Sequence, residues 1–144
     1  MATVFDAIKR ASAQQYSGEA QTDELEDEEL LKLYIIYANE GMRRIWRQLD
    51  PIEPLTGRQS DVVRIPCPVL SRDTLLDKYD PRVFDALADY MTWRMLGTGN
   101  ANKQNRGEWF RERFIETLSR IPRDASWDTY AELAGGDFAG VWDW

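Results

Sequence analysis

The chain contains no histidine, so a serine or cysteine nucleophile would lack its usual general base. The single cysteine, Cys67, sits between Pro66 and Pro68 with Arg64 as its nearest charge. It reads as a small apolar filler. One cysteine also excludes an intrachain disulfide and a cysteine-based structural zinc site. Carboxylates remain: seven acidic residues and no basic one stand between Glu19 and Glu29, among them Glu24, Glu26, Asp27, Glu28 and Glu29. Several carboxylate oxygens suit a hard cation such as Ca²⁺, but the run lacks the Asp-x-Asn/Asp-x-Asp-Gly spacing of a calcium loop. Acids at a helix start are explained more simply by the positive end of the macrodipole and by solvation. No convergent Asp/Glu pair in an apolar pocket is legible. The expectation is a chain that is not an enzyme and uses no metal or cofactor.

Three further stretches invite a chemical reading. Gly97-Thr98-Gly99-Asn100-Ala101-Asn102 looks like a phosphate cradle at a helix start, but it lacks a preceding strand and the lysine-serine pair of a P-loop. A turn between helices fits it better. Lys103, Arg106, Arg111, Arg113 and Arg120, with Trp109 and Phe110 among them, suggest a nucleic-acid helix until Glu108, Glu112 and Glu116 are seen to interleave. That spacing makes a solvated face with local ion pairs to Arg111 and Arg120. The stretch 122–144 carries Trp127, Tyr130, Phe138, Trp142 and Trp144, and Gly135, Gly136 and Gly140 discourage a continuous helix there. Trp and Tyr are enriched at binding hot spots, so these five residues are the candidate contacts to a partner or neighbouring subunit, the alternative being that the segment folds back onto the chain's own helices.

The elements that carry these residues read as helices. Thr3 and Asp6 form a capping box for a first helix that Ser17 and Gly18 end. A second helix starts near Thr22 and reaches about Leu49, with Leu31, Tyr34, Ala38, Met42, Ile45, Trp46 and Leu49 on one face, widened by Leu30, Leu33, Ile36 and Tyr37. A helix apolar over so much of its circumference is expected against several neighbours. Pro51 and Pro54 stop it. The middle, 51–79, has little helical period; 61–65 alternates weakly, and Pro66 and Pro68 confine any strand there to an edge. Asp80 and Pro81 open a helix with Phe84, Leu87, Ala88, Met91 and Met95 as its stripe. After the glycine turn, 101–121 places Phe110, Phe114, Thr117, Leu118 and Ile121 together until Pro122. The fold class is all-α, a small bundle of about four helices over 1–121 with an irregular insert at 51–79, followed by an extended C-terminal docking arm at 122–144.

Composition sets the bounds. With 144 residues, 43% of them hydrophobic, the chain can build one compact core but not two ordinary domains. A net charge of −7 opposes non-specific attraction to phosphate backbones. No stretch approaches the ~20 apolar residues that span a bilayer, and residues 1–10 carry Asp6, Lys9 and Arg10 where a signal peptide has an apolar run. An origin inside the cell and no membrane partner are expected.

Leu33-Tyr34-Ile35-Ile36-Tyr37-Ala38-Asn39-Glu40-Gly41 followed by Ile45, then Ala86-Leu87-Ala88-Asp89-Tyr90-Met91-Thr92-Trp93-Arg94-Met95-Leu96, a short loop and Trp109-Phe110-Arg111-Glu112-Arg113-Phe114, resembles the head-to-tail adaptor (connector, head-completion) proteins of tailed bacteriophages. The resemblance covers roughly residues 30–49 and 81–121. It implies a virion protein, made in the host cytoplasm, that forms a ring, usually of twelve copies, in the neck between capsid and tail. There it would hold the portal protein, neighbouring adaptor subunits and a tail or nozzle protein, and surround the channel through which genome DNA passes without specific binding. Adaptors of this kind commonly use a terminal arm to hold the portal or a neighbour. An acidic wall, with Glu24, Glu26, Asp27, Glu28 and Glu29 facing the channel, would repel phosphate during ejection. Two other classes stay open: a carboxylate-based hydrolase, and a non-viral acidic helical regulator or inhibitor that masks a basic protein partner.

Overall fold

A computed structural model describes residues 2–15, 26–49 and 66–121. Four helices pack together: α1 (Val4–Gln15), α2 (Glu28–Leu49), α3 (Pro81–Leu96) and α4 (Ala101–Arg120). No strand occurs among the described residues, only an isolated bridge between Thr3 and Leu75. The proposed edge strand at 61–65 and the helix end at Ser17 and Gly18 lie outside the described residues.

The helix starts obey the capping rules. Asp6 Oδ2 accepts from the Thr3 amide at 2.9 Å while Thr3 Oγ1 accepts from the Asp6 amide at 3.2 Å, which completes the capping box. That Thr3 amide is the main reason the Asp6 carboxyl titrates below its usual range. Asp80 accepts from the Arg82 amide at 2.9 Å ahead of Pro81, and Asn100 from the Lys103 amide at 3.0 Å. The glycine stretch is therefore a turn between helices. The expected start near Thr22 lies outside the described residues; the described span of α2 starts at Glu28, where Asp27 Oδ1 accepts from the amides of Glu29 at 2.9 Å and Leu30 at 3.3 Å. Asp27 is thereby a cap instead of a helix-interior residue.

Constant offsets reveal the topology. Ala2 meets Asp77, Arg10 meets Asp85 and Gln14 meets Asp89, each pair 75 positions apart, so α1 runs parallel to α3. Arg113 meets Asp89 and Arg82 meets Arg120, so α4 returns antiparallel to α3. Tyr37 with Arg94, and Gly41 with Tyr90, set α2 antiparallel to α3 as well. α3 is thus the central helix, packed by the other three. Its buried residues include the unbroken run from Ala86 through Thr92, which takes in Asp89 and Tyr90. The expected stripe is half right, since Phe84 and Met95 are only half-buried. α2 is the more one-sided helix: Tyr34, Tyr37, Ala38, Met42, Ile45, Trp46 and Leu49 are buried, but Ile36 is 53% exposed. Two glycines permit close approach. A Cβ on Gly41 would stand 2.9 Å from Tyr90 Cδ1, and one on Gly107 would stand 3.3 Å from Leu96 Cβ.

The described part of the middle, 66–79, lacks helix but belongs to the core. Leu70, Leu76 and Tyr79 are buried, and the segment's carbonyls satisfy the first amides of α1: Val4 donates to Thr74 O at 2.9 Å and Phe5 to Arg72 O at 3.0 Å. Asn39 fastens it to α2, donating to Leu70 O at 3.0 Å and accepting from the Leu70 amide at 2.7 Å.

Candidate interaction surfaces

The residues expected to act fall in different places. Trp127, Tyr130, Phe138, Trp142 and Trp144, and Glu24, lie outside the described residues. Glu26, Asp27, Glu28 and Glu29 are all exposed at the start of α2, with Lys32 Nζ 3.6 Å from Glu29 Oε1. Asp27 is spent on capping and its neighbours complement the helix dipole. No group of three or more His, Cys, Asp or Glu side chains among the described residues could hold a metal ion. Cys67 is partly buried, and burial raises its thiol pKa, the opposite of nucleophile activation.

Along α4 the mixed-charge face appears as expected for two pairs: Arg111 lies 3.6 Å from Glu108, and Arg120 pairs with Glu116. Two other basic residues leave the helix. Arg106 donates to Gln15 O at 3.0 Å and so caps the end of α1. Arg113 Nε donates to Asp89 Oδ2 at 3.0 Å; the Asp89 side chain is 1% exposed and that of Arg113 40%. Burial raises the Asp89 pKa, and Arg113 opposes the shift. Thr92 Oγ1, beside it, lies 2.7 Å from both Gln14 Oε1 and Ala88 O. This buried polar knot ties α1, α3 and α4.

A second cluster joins α2, α3 and α4 through aromatic rings and arginines. Tyr90 meets Trp93 edge-on at 5.3 Å and Phe114 at 5.1 Å. Around Trp93 stand Arg44 at 5.5 Å, Arg111 at 5.8 Å and Arg94 at 5.9 Å, and Arg94 also covers Tyr37 at 4.9 Å. Glu40 is the acid within reach, 3.1 Å from Tyr90 Oη and 3.6 Å from Arg94. Cation–π contact here holds positive charge on an acidic protein. Farther along α4, Trp109 is 55% exposed with Arg113 at 4.9 Å over its ring.

Among the described residues, two grooves that border α2 have apolar walls. One, of about 410 Å³, runs along the flank of α2, between Ile35, Ile36 and Arg43 on one side and Cys67, Pro68 and Val69 on the other. The second, of about 420 Å³, lies between Arg44, Arg47 and Gln48 of α2 and Phe114, Ile115 and Leu118 of α4. Neither has the convergent carboxylates or nucleophile–base pair that hydrolysis requires; both suit apolar contact edged by arginine. Comparisons of the chain with protein-family models, curated proteins and solved structures find no match.

Proposed function

We propose that the protein is a structural component of a phage neck, a protomer that joins the capsid portal to the tail in a ring around the DNA channel. The observation that supports this best is the presence of two unlike apolar surfaces on one small bundle: Ile36 and Val69, 53% and 88% exposed, in the groove on the flank of α2, and Ile115, 49% exposed, in the groove between α2 and α4. A closed ring of identical copies is built from heterologous contacts, so each protomer needs two different faces that fit one another. An all-α bundle is also what the resemblance implies. The arm at 122–144 adds the anchor-type aromatics for the portal or a neighbour.

Mass photometry of the purified chain, alone and mixed with its cognate portal, tests the assignment. The chain is expected to be monomeric or weakly associated alone and to add to the portal as a ring. A monomer in both conditions refutes it, and capture of an unrelated basic protein instead would favour a regulator.

A further inference from the structure

We infer that Val69 of one copy is the knob that fills the groove between α2 and α4 of the next copy, with Asp73 brought beside Arg47 and Arg43 beside Glu112. This contact rests on the ring reading above, within which it is the joint between neighbouring copies. Val69 is 88% exposed at the border of the flank groove, yet its mount is fixed. Leu70, the next residue, is buried, and Asn39 of α2 holds both its amide and its carbonyl. Beyond it, Ser71 and Thr74 close a turn, the Ser71 amide donating to Thr74 Oγ1 at 2.8 Å. A β-branched side chain held out in water on a fastened loop loses little freedom on docking. The groove supplies the complementary shape. Phe114 and Leu118 are its buried floor, Ile115 is half-exposed on its wall, and about 420 Å³ is room for Val69 with the ring of Pro68.

The charges around the two faces match in pairs. Arg44 is held over the Tyr90 and Trp93 rings at 5.5 Å from each, so Arg47, also exposed, is the groove's cation for an incoming acid. Asp73 is exposed four positions past Val69, within about 14 Å of it along the chain. The adjacent Arg72 is engaged elsewhere, 4.2 Å from the centre of the Phe5 ring. Arg43, on the flank groove, has its counterpart in Glu112, three positions before Ile115 and so on the same strip of α4. Glu108 and Glu116 pair with Arg111 and Arg120, whereas Glu112 joins no ion pair among the described residues. Knob and groove, each edged by charges that suit the other, are thus two halves of one contact carried on one chain. Head-to-tail association of identical copies needs that arrangement, and knob against knob would leave both grooves empty.

Disulfide trapping between two copies of the full chain tests this. In a Cys67→Ser background, chains with Val69→Cys are mixed with chains carrying Ile115→Cys in the presence of the cognate portal, and mass photometry follows the same mixture. The unlike pair is expected to link at least about tenfold faster than either like pair, as a seated contact raises local concentration. Asp73→Arg in the first chain should slow the link severalfold, and Arg47→Asp in the second should then restore it, which separates lost charge pairing from misfolding. A link no faster than the like pairs, or a charge exchange that fails to restore it, overturns the inference; where rings still form on the portal, the ring reading survives that loss. An unlike link without rings on the portal leaves the contact standing and refutes the ring.

Discussion

Replacing Arg113 with methionine isolates what the Asp89 contact is worth. The substitution keeps an apolar stem over Trp109 and Phe110 but leaves a carboxylate that is 1% exposed without its cation. Gln14, 3.4 Å from Asp89 Oδ1, is too far and too weak to replace it. Stranding a buried charge costs about 3–5 kcal/mol, and the 40% exposure of Arg113 discounts that to about 2–3 kcal/mol near neutral pH. The midpoint of thermal unfolding should fall by roughly 8–12 °C. The sign with pH follows from the direction of the Asp89 shift. Its folded pKa is raised, so its neutral form is the one the fold favours, and that contribution is lost as pH rises through the folded value. Without Arg113 the value rises further, so the deficit relative to the unsubstituted protein should shrink as pH drops toward the carboxylate range. Urea unfolding at neutral and mildly acidic pH measures both quantities. Asp89→Asn added to Arg113→Met should recover most of the loss. A deficit equal at both pH values would show that packing, not charge, was removed.

Asn39→Ala strips the Leu70 amide and carbonyl of their partners and should cost about 2–4 kcal/mol in urea unfolding, since two poorly hydrated backbone groups go unpaired. Gly41→Ala should destabilise by about 1–2 kcal/mol despite alanine's better helix propensity, because the new methyl lands 2.9 Å from Tyr90; thermal melting checks it. Deleting 122–144 should preserve most of the helical circular dichroism while weakening attachment to the portal or a neighbouring subunit. Collapse of the helical signal would place that segment in the core. Reversing Glu26, Glu28 and Glu29 to lysine should slow DNA release from assembled particles without reducing particle yield, because added cations gain affinity by releasing counterions; normal release at low salt would remove the channel-lining role.

Local signals in the sequence carried far. Thr3 with Asp6 and Asp80 with Pro81 each name a helix start by chemistry that acts within four residues, and each is where a helix begins. The apolar face of α4 was legible for the same reason: one face meets one neighbour. α3 was harder, because three helices surround it and periodicity assumes a single buried side. The sequence carried no signal that Asp89 is buried, since its cation stands 24 positions away on another helix. Asn39 gave no local hint that it would clamp Leu70, 31 positions on. Ile36 erred the other way: it continued the apolar pattern of α2 but borders a groove. The same distance effect hid the arginines around Trp93, which arrive from three helices.

The tie between α1 and the segment 72–76 also orders events in time. α3 and α4 meet across the Gly97–Asn100 turn, a closure of little entropic cost. α1, by contrast, gets acceptors for its first two amides, those of Val4 and Phe5, from carbonyls about 70 positions away, and its register on α3 spans 75. A twelve-residue helix is marginal alone in water, so α1 depends on a scaffold that must already stand. α1 is therefore expected to be the last of the four helices fastened, and the first that unfastens when the bundle opens. In hydrogen exchange the amides of Val4 and Phe5 should therefore report openings that leave the α3–α4 hairpin intact.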